Sequence, residues 1–457
     1  MRFSLSYGLV ARRGAAALLS LMTLPAATAQ VTQVSSPPAA PEVLTLAQCL
    51  DYALSNRPEL RQARLDEQIA DAQTRVARAG WLPQVGVTGT AQHYFQLPYT
   101  VFPNLATGVS EPRQIGVQNV TTVGLAGTQV IYNNDVLLAA RQAPVQRLAA
   151  AQNTTDVRIA VTADVSKAFY DVLLSDRQLD VYKEDIARLS RNYQDARARY
   201  DVGIVDKTDF LQAEISLNNS LASRRQAQED INAKTAYLQE LMGRPVSQPL
   251  RLEYDTLQLE RAAVADTLTP PDFAQRIEIQ QVETQRRLQS LTVDYYRRGY
   301  LPALSAFGNY NSVYQNNSFA DQYAQRFPNS YAGLQVTLPI FTGFRRTQNL
   351  RRARLQNERL DVELTRTQLQ LNTEYARALA DYKANYAAYL TGKRNLELSR
   401  QVYQVVDLQY REGIKAYIDL LVAQTTRRTA QLNYYQALFQ VLRSKVDLER
   451  ARGNLTP

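Results

Sequence analysis

The chain is short of the side chains that carry most enzyme chemistry. Its 457 residues hold one cysteine, Cys49, and one histidine, His93. A single cysteine closes no disulfide within the chain. A single histidine in a strand-like stretch supports neither a two-histidine metal site nor a Ser-His or Cys-His pair. Glycine-rich phosphate cradles are missing as well. Carboxylates are plentiful, but they stand at ion-pair spacing along helical segments rather than as a catalytic couple. These absences argue against an enzyme and against a resident metal or cofactor. No run after the N-terminus approaches the roughly 18 consecutive apolar residues that cross a bilayer as a helix. If the chain is integral to a membrane, it must enter as a closed β-barrel, the other architecture that leaves no backbone group unpaired in lipid.

What is present begins with an export signal. In residues 1–29, Arg2, Arg12 and Arg13 precede an apolar core at Ala15–Leu24, and Ala27-Thr28-Ala29 supplies a small-x-small cleavage site. The Arg12-Arg13 pair alone is weak support for twin-arginine export, so the general secretory route is expected. Residues 30–43 form a polar, proline-rich tether. Cys49 lies too far beyond the cleavage site for a lipoprotein acyl cysteine and reads as a small helix residue. The formal charge of +9 falls to +6 once the three signal arginines leave. The remaining cations are interleaved with acids, which describes solvated helix faces and not a nucleic-acid partner.

The mature chain is a tandem repeat. Arg57, Glu59, Arg78, Gly80, Leu82 and Pro83 recur 219 positions later as Arg276, Glu278, Arg297, Gly299, Leu301 and Pro302, with Trp81 matched by Tyr300. In both copies a helix-forming segment ends at glycine, and an aromatic-Leu-Pro step hands over to alternating sequence. Further on, Tyr132 matches Phe341, and Tyr200-Asp-Val-Gly203 matches Tyr410-Arg-Glu-Gly413. Repeat 1 is expected over residues 44–243, a proline-rich linker over 244–272, and repeat 2 over 273–453.

Within repeat 1 the period changes from 3.6 to 2 after Leu82. Val85, Val87, Gly89 and Ala91 oppose Gln84, Thr88, Thr90 and Gln92, and strands are expected at residues 83–97 and 117–132, with Leu97–Arg113 as an exposed loop. Repeat 2 shows the same order, with strands at residues 303–314 and 331–341 around a polar loop. Each stretch has about the length of a tilted membrane strand. Long helical hairpins follow, over residues 134–242 and 343–452. Apolar residues at three and four spacing give each a coiled-coil seam: Tyr382, Tyr389, Leu396 and Ile418 in one, Leu217, Leu238 and Met242 in the other. At 1.5 Å per residue the longer arms reach roughly 100 Å, far more than a bilayer is thick.

Four strands cannot enclose a lumen; about eight are needed even for a barrel filled by side chains. Lipid tolerates no open sheet edge, so copies of the chain must complete the sheet. Two, three or four copies would give 8, 12 or 16 strands, and the Gln/Thr/Tyr/Asn faces would line a wet interior. A soluble periplasmic coiled-coil scaffold or adaptor is the alternative from another class, with the membrane-length strand pairs as the feature against it.

The stretches TLAQCLDYALSNRPEL, RAGWLPQV, YLPAL, LPIFTGFRR and QYREGIKAYIDLLVAQ resemble the TolC-type outer-membrane efflux proteins, and the similarity covers Leu44 to Gly453. The resemblance implies an α+β membrane protein. It would be a homotrimer forming a twelve-stranded β-barrel in outer-membrane lipid, four strands per protomer, continued by a periplasmic α-helical barrel of coiled-coil hairpins. It further implies a passive exit duct of a tripartite efflux or type I secretion system, working with a periplasmic adaptor (membrane fusion protein) and an inner-membrane pump of the RND or ABC type. On the family pattern the periplasmic gate falls to Asp209, Tyr410, Lys415 and Asp419. Val422 stands where some members carry a second acid, which argues against a double acidic ring. The hairpin turns at Gly203-Ile204 and Gly413-Ile414 are the expected adaptor docking points. Trp81 and Tyr300, at the change of period, are expected at the lipid interface.

Overall fold

The structure, a computed structural model, describes residues 42–103, 110–203 and 206–455. The expected signal peptide, most of the tether, and Ile204 lie outside the described residues. In chain order the elements are β1 (Glu42–Leu44), α1 (Leu46–Asn56), α2 (Pro58–Ala79), β2 (Gln84–His93), β3 (Tyr99–Pro103), β4 (Ser110–Gln114) and β5 (Asn119–Tyr132). Then come α3 (Asn134–Asp201), α4 (Lys207–Met242), β6 (Leu250–Leu252), α5 (Thr256–Ala262) and a 3₁₀ turn at Phe273–Gln275. Repeat 2 continues with α6 (Ile277–Arg298), β7 (Ala303–Asn316), β8 (Arg326–Thr337), α7 (Arg345–Arg411) and α8 (Tyr417–Arg452).

Local chemistry explains where these elements start. Thr45 and Gln48 form a reciprocal capping box at α1. Pro58 opens α2, where a missing N–H costs nothing. Asn133 accepts from the Asp135 amide at 2.7 Å to start α3. Arg57 and Arg276, the matched residues of the repeat, play matched parts. Each precedes an ascending helix and folds back on the glutamate two positions on, Arg57 to Glu59 at 3.0 Å and Arg276 to Glu278 at 2.6 Å.

The four long strands make one antiparallel sheet in the order β2-β5-β7-β8. The helices that feed and leave them pack in the same order: α2 on α3, α3 on α6, α6 on α7. Gln142 reaches the Thr292 hydroxyl at 3.1 Å between α3 and α6, and Arg286 meets Asp361 at 2.5 Å between α6 and α7. Farther along, the long helices pair as hairpins, α3 with α4 and α7 with α8, and α3 packs on α8. Most of the core lies along this second region, where Phe169, Leu173, Leu238, Phe439 and Leu442 are buried.

The segment between the repeats is more ordered than a linker. β6 pairs in parallel with β1, and the chain beyond it straps across α7 and α8. Tyr382 donates to the Ala263 carbonyl at 2.9 Å and accepts from the Ala265 amide at 2.7 Å. Lys445 donates to the carbonyls of Ala262 and Val264, and Arg452 to those of Asp266 and Thr269. Lys393 meets Glu260 at 2.6 Å.

Several expected boundaries need correction. Leu97–Arg113 is not simply a loop, because Tyr99–Pro103 pairs with Ser110–Gln114 as a small hairpin. Prolines suggested a loop, but an isolated two-stranded ribbon leaves free edges that accept them. The first long strand stops at His93 instead of residue 97, and the fourth runs Arg326–Thr337 instead of 331–341. Pro339 cannot donate to a ladder, which ends the pairing before Phe341. Ile418, placed in a seam, is exposed; Tyr417 and Leu420 face inward instead.

Candidate functional site

Three places in the fold gather the residues singled out by sequence: one face of the sheet, the hairpin turns, and the junction of helix with strand.

Cross-strand partners share a face of a sheet, so the register sorts the side chains. One face carries Val85, Val87, Leu125, Leu304, Leu334 and Val336. The other carries rows such as Thr88–Gly124–Asn311–Asn329 and Thr90–Thr122–Val313–Phe327. Asn311 donates from Nδ2 to Asn329 Oδ1 at 3.0 Å. Gly124 makes room for it, since a Cβ there would stand 2.1 Å from Asn311 Oδ1. On the same face the Phe307 ring covers its partner Gly333 and meets Tyr331 edge-on, with centroids 6.2 Å apart. The alternation seen in the sequence therefore sorts the strands into two faces, with aliphatic side chains concentrated on the Val85–Val336 face near the helices and Thr, Gln and Asn side chains mixed with aromatic ones on the other. At the far end of the sheet, His93 donates from Nδ1 to Asn119 Oδ1 at 2.7 Å, because the Asn119 amide nitrogen is already committed to the carbonyls of Asn316 and Asn317.

β2 and β8 are the ends of this sheet, each with one partner strand. The helix row ends at α2 and α7, and both ends expose apolar residues at heptad-like spacing. Leu65, Ile69 and Val76 stand out on α2, and Leu355, Val362 and Leu369 on α7.

At the hairpin turns Gly203 and Gly413 adopt φ of +76° and +75°, a conformation that bulkier residues rarely take. Ile414 is exposed at the second turn. The four gate candidates separate into two groups. Lys415 and Asp419 lie 3.9 Å apart at the start of α8, as a partly exposed pair within one hairpin. Tyr410 packs edge-on against Tyr417 at 6.0 Å, under the Arg199 guanidinium at 5.4 Å. Burial pushes Tyr410 up, and Asp209 adds to this while Arg199 opposes it. Tyr417 is buried and pushed up to about 12 by burial, then by Tyr410 and Asp209. Asp209 thus stands close enough to Tyr410 and Tyr417 to act on both. Tyr417 was missed by sequence reasoning, because it lies beyond the Gly413 turn and meets Tyr410 only when α8 folds back on α7.

Above this tip, Asp185 is 2% exposed and ties the repeats together. It accepts from Ser220 at 2.7 Å, Arg428 at 3.0 Å and Arg188 at 3.4 Å. Two further pairs join α3 to α8, Asp171 with Arg443 at 2.9 Å and Lys167 with Asp447.

At the junction Trp81 is half-buried, its carbonyl accepting from Gln129. Tyr300 is exposed, with the Arg346 guanidinium 5.2 Å over its ring. Among the described residues no helix is long and apolar enough to cross a membrane, and no group of three His, Cys, Asp or Glu side chains is placed to hold a metal ion.

Comparison with known proteins places this architecture. A family model described as outer membrane efflux protein matches residues 49–244 and 273–454, one match to each repeat. The chain belongs to that outer-membrane family. Among similar sequences, the toluene efflux pump outer membrane protein TtgC of Pseudomonas putida is 24% identical over 417 residues, covering 89% of this chain and 82% of its own. Protein CyaE of Bordetella pertussis is 26% identical over 467 residues, covering 99% and 93%. Outer membrane protein TolC of Vibrio cholerae is 21% identical over 427 residues, covering 90% and 91%. Among solved structures, CusC superposes with a TM-score of 0.71 at 17% identity, over 92% of this chain and 95% of that one. The Campylobacter jejuni CmeC outer membrane channel gives 0.70 at 18%, over 90% and 86%.

Proposed function

We propose that three copies of this chain close into a passive exit duct, a twelve-stranded barrel in the outer membrane continued by a periplasmic helical tunnel. The observation that carries this reading is the double open edge. β2 and β8 end the sheet, α2 and α7 end the helix row beneath it, and the two layers run in the same order. A neighbour that pairs β8 with its own β2 also brings its Leu65–Val76 stripe toward Leu355–Leu369. One contact thus satisfies the open backbone edge and the exposed apolar stripes together. Repetition of an edge-to-edge contact of this kind closes a ring. Three copies rather than two or four is the expectation that the family resemblance adds.

In this assembly the Thr88–Asn329 face lines the lumen and the Val87–Leu334 face meets lipid. The Gly203 and Gly413 turns are the distal ends, open to a periplasmic adaptor that couples the duct to an RND or ABC-type pump. Tyr410, Asp209 and the Lys415–Asp419 pair narrow and hold the tip. Exposed pairs of this kind are each worth about 0.2–1 kcal/mol, so several across a ring make a closure that adaptor contacts can displace.

The test is to reconstitute the outer-membrane fraction in planar bilayers and to pull down the adaptor and pump from native membranes. Ion-conducting pores and co-purification of both partners support the duct. Recovery of the protein in the soluble periplasmic fraction would sink it in favour of a scaffold.

A further inference from the structure

The two helix-to-strand junctions are matched in sequence but not in charge. In repeat 2 the segments 294–300 and 341–352, which meet at the junction, carry six arginines against one aspartate. The matched segments of repeat 1, 75–81 and 132–143, carry three against one. Arg346 lies across Tyr300, so the end of α6 and the start of α7 are in contact. None of Arg297, Arg298, Arg345 and Arg346 has a carboxylate within ion-pair distance among the described residues. Arg345 and Arg346 also occupy the first turn of a 67-residue helix that has no acidic residue there and no side-chain cap. Cations are disfavoured at that end of a helix.

Beside this charge lies an apolar patch. Ile340 is 90% exposed, Phe341 74% and Phe344 71%. Phe341 and Phe344 meet edge-on at 5.6 Å. Phe344 adopts φ of +61°, which a bulky side chain rarely does. The patch continues the apolar face of β8, where Leu334 and Val336 point the same way and are themselves exposed.

We propose that this junction is a binding surface for anionic phospholipid in the periplasmic leaflet of the outer membrane. The arginines take the headgroup phosphate, and Ile340, Phe341 and Phe344 sit among the upper acyl carbons. The inference rests on the membrane placement above. Charge complementarity favours lipid over a second copy of the chain. The neighbour that would abut α7 brings the repeat 1 junction, which is itself net basic and offers no excess of acid to six arginines. The apolar ring cluster favours a lipid over free phosphate. Basic residues near a membrane surface contribute about 1 kcal/mol each, so losing two should weaken the preference roughly thirtyfold.

The experiment is native mass spectrometry of the full-length protein in detergent with equimolar phosphatidylglycerol and phosphatidylethanolamine. Wild type is compared with Arg345→Gln/Arg346→Gln and with Arg297→Gln/Arg298→Gln. The expected result is preferential retention of phosphatidylglycerol by wild type, reduced roughly thirtyfold in each variant while the oligomer mass is unchanged. Equal retention of both lipids by wild type overturns the proposal. So does loss of the oligomer in the variants, which assigns the patch to the seam between copies, or complete displacement of lipid by inorganic phosphate. Failure of the wild-type protein to fractionate with membranes would instead overturn the duct reading itself.

Discussion

Asp185 and Arg428 stand 243 positions apart in the chain and meet at 3.0 Å, joining the first repeat's α3 to the second repeat's α8. Ser220 on α4 donates to the same carboxylate oxygen. One buried carboxylate therefore fixes three helices of the two hairpins against each other.

Removing one partner of a buried pair leaves the other charge poorly solvated and costs about 3 kcal/mol or more. Asp185→Asn should lower the thermal midpoint of the detergent-solubilised protein, followed by circular dichroism. The double variant Asp185→Leu/Arg428→Met should recover most of the loss, since an apolar pair of similar volume is often neutral. A double variant no better than the single one would show that the ion pair does not set the energetics at this layer.

Val362 stands in the exposed stripe of α7. On a free surface Val362→Asp would change stability by no more than about 0.5 kcal/mol. In the proposed seam it buries an unpaired charge, so native gels should show a shift from oligomer to monomer. A variant that migrates as wild type removes this stripe from the interface.

Tyr417 has a buried hydroxyl with no hydrogen-bond partner among the described residues. Its pKa is pushed from the ordinary 10 up to about 12 by burial, by Tyr410 and by Asp209. A tyrosine whose folded value is raised favours the folded state below its unfolded value and loses that contribution as pH rises through the folded one. Tyr417→Phe should therefore melt like wild type at neutral pH and lose less stability between pH 10 and pH 12. If the variant melts well below wild type at neutral pH, the hydroxyl has a partner in the assembled oligomer.

Asp419→Ala frees Lys415 and, in the proposed duct, takes one acid from the narrow end. Single-channel conductance in planar bilayers should rise. Unchanged conductance removes Asp419 from the gate.

Much of this fold can be read from the sequence because its elements are long and strongly periodic. The duplication at Arg57 and Arg276 marks the ascending helices, and the period change after Leu82 and Leu301 marks the sheet. Less legible was whatever depends on partners distant in the chain. Nothing local to Asp185 announces Arg428, and the strap over Tyr382 and Lys445 is built from backbone carbonyls of a proline-rich stretch that reads as linker. Pro144, a residue type that kinks or delays a helix, lies inside α3 near its start, and the helix runs through it while packing against α2 and α6. At the tip, Tyr410 packs on Tyr417 across the turn between α7 and α8, a partner that the family pattern did not single out.

The most direct test of the account is the native mass of the mature protein extracted from outer membranes. Three copies of the chain are predicted, supplying twelve barrel strands from the four that each contributes. A monomer, or an assembly of two or four copies, would contradict it.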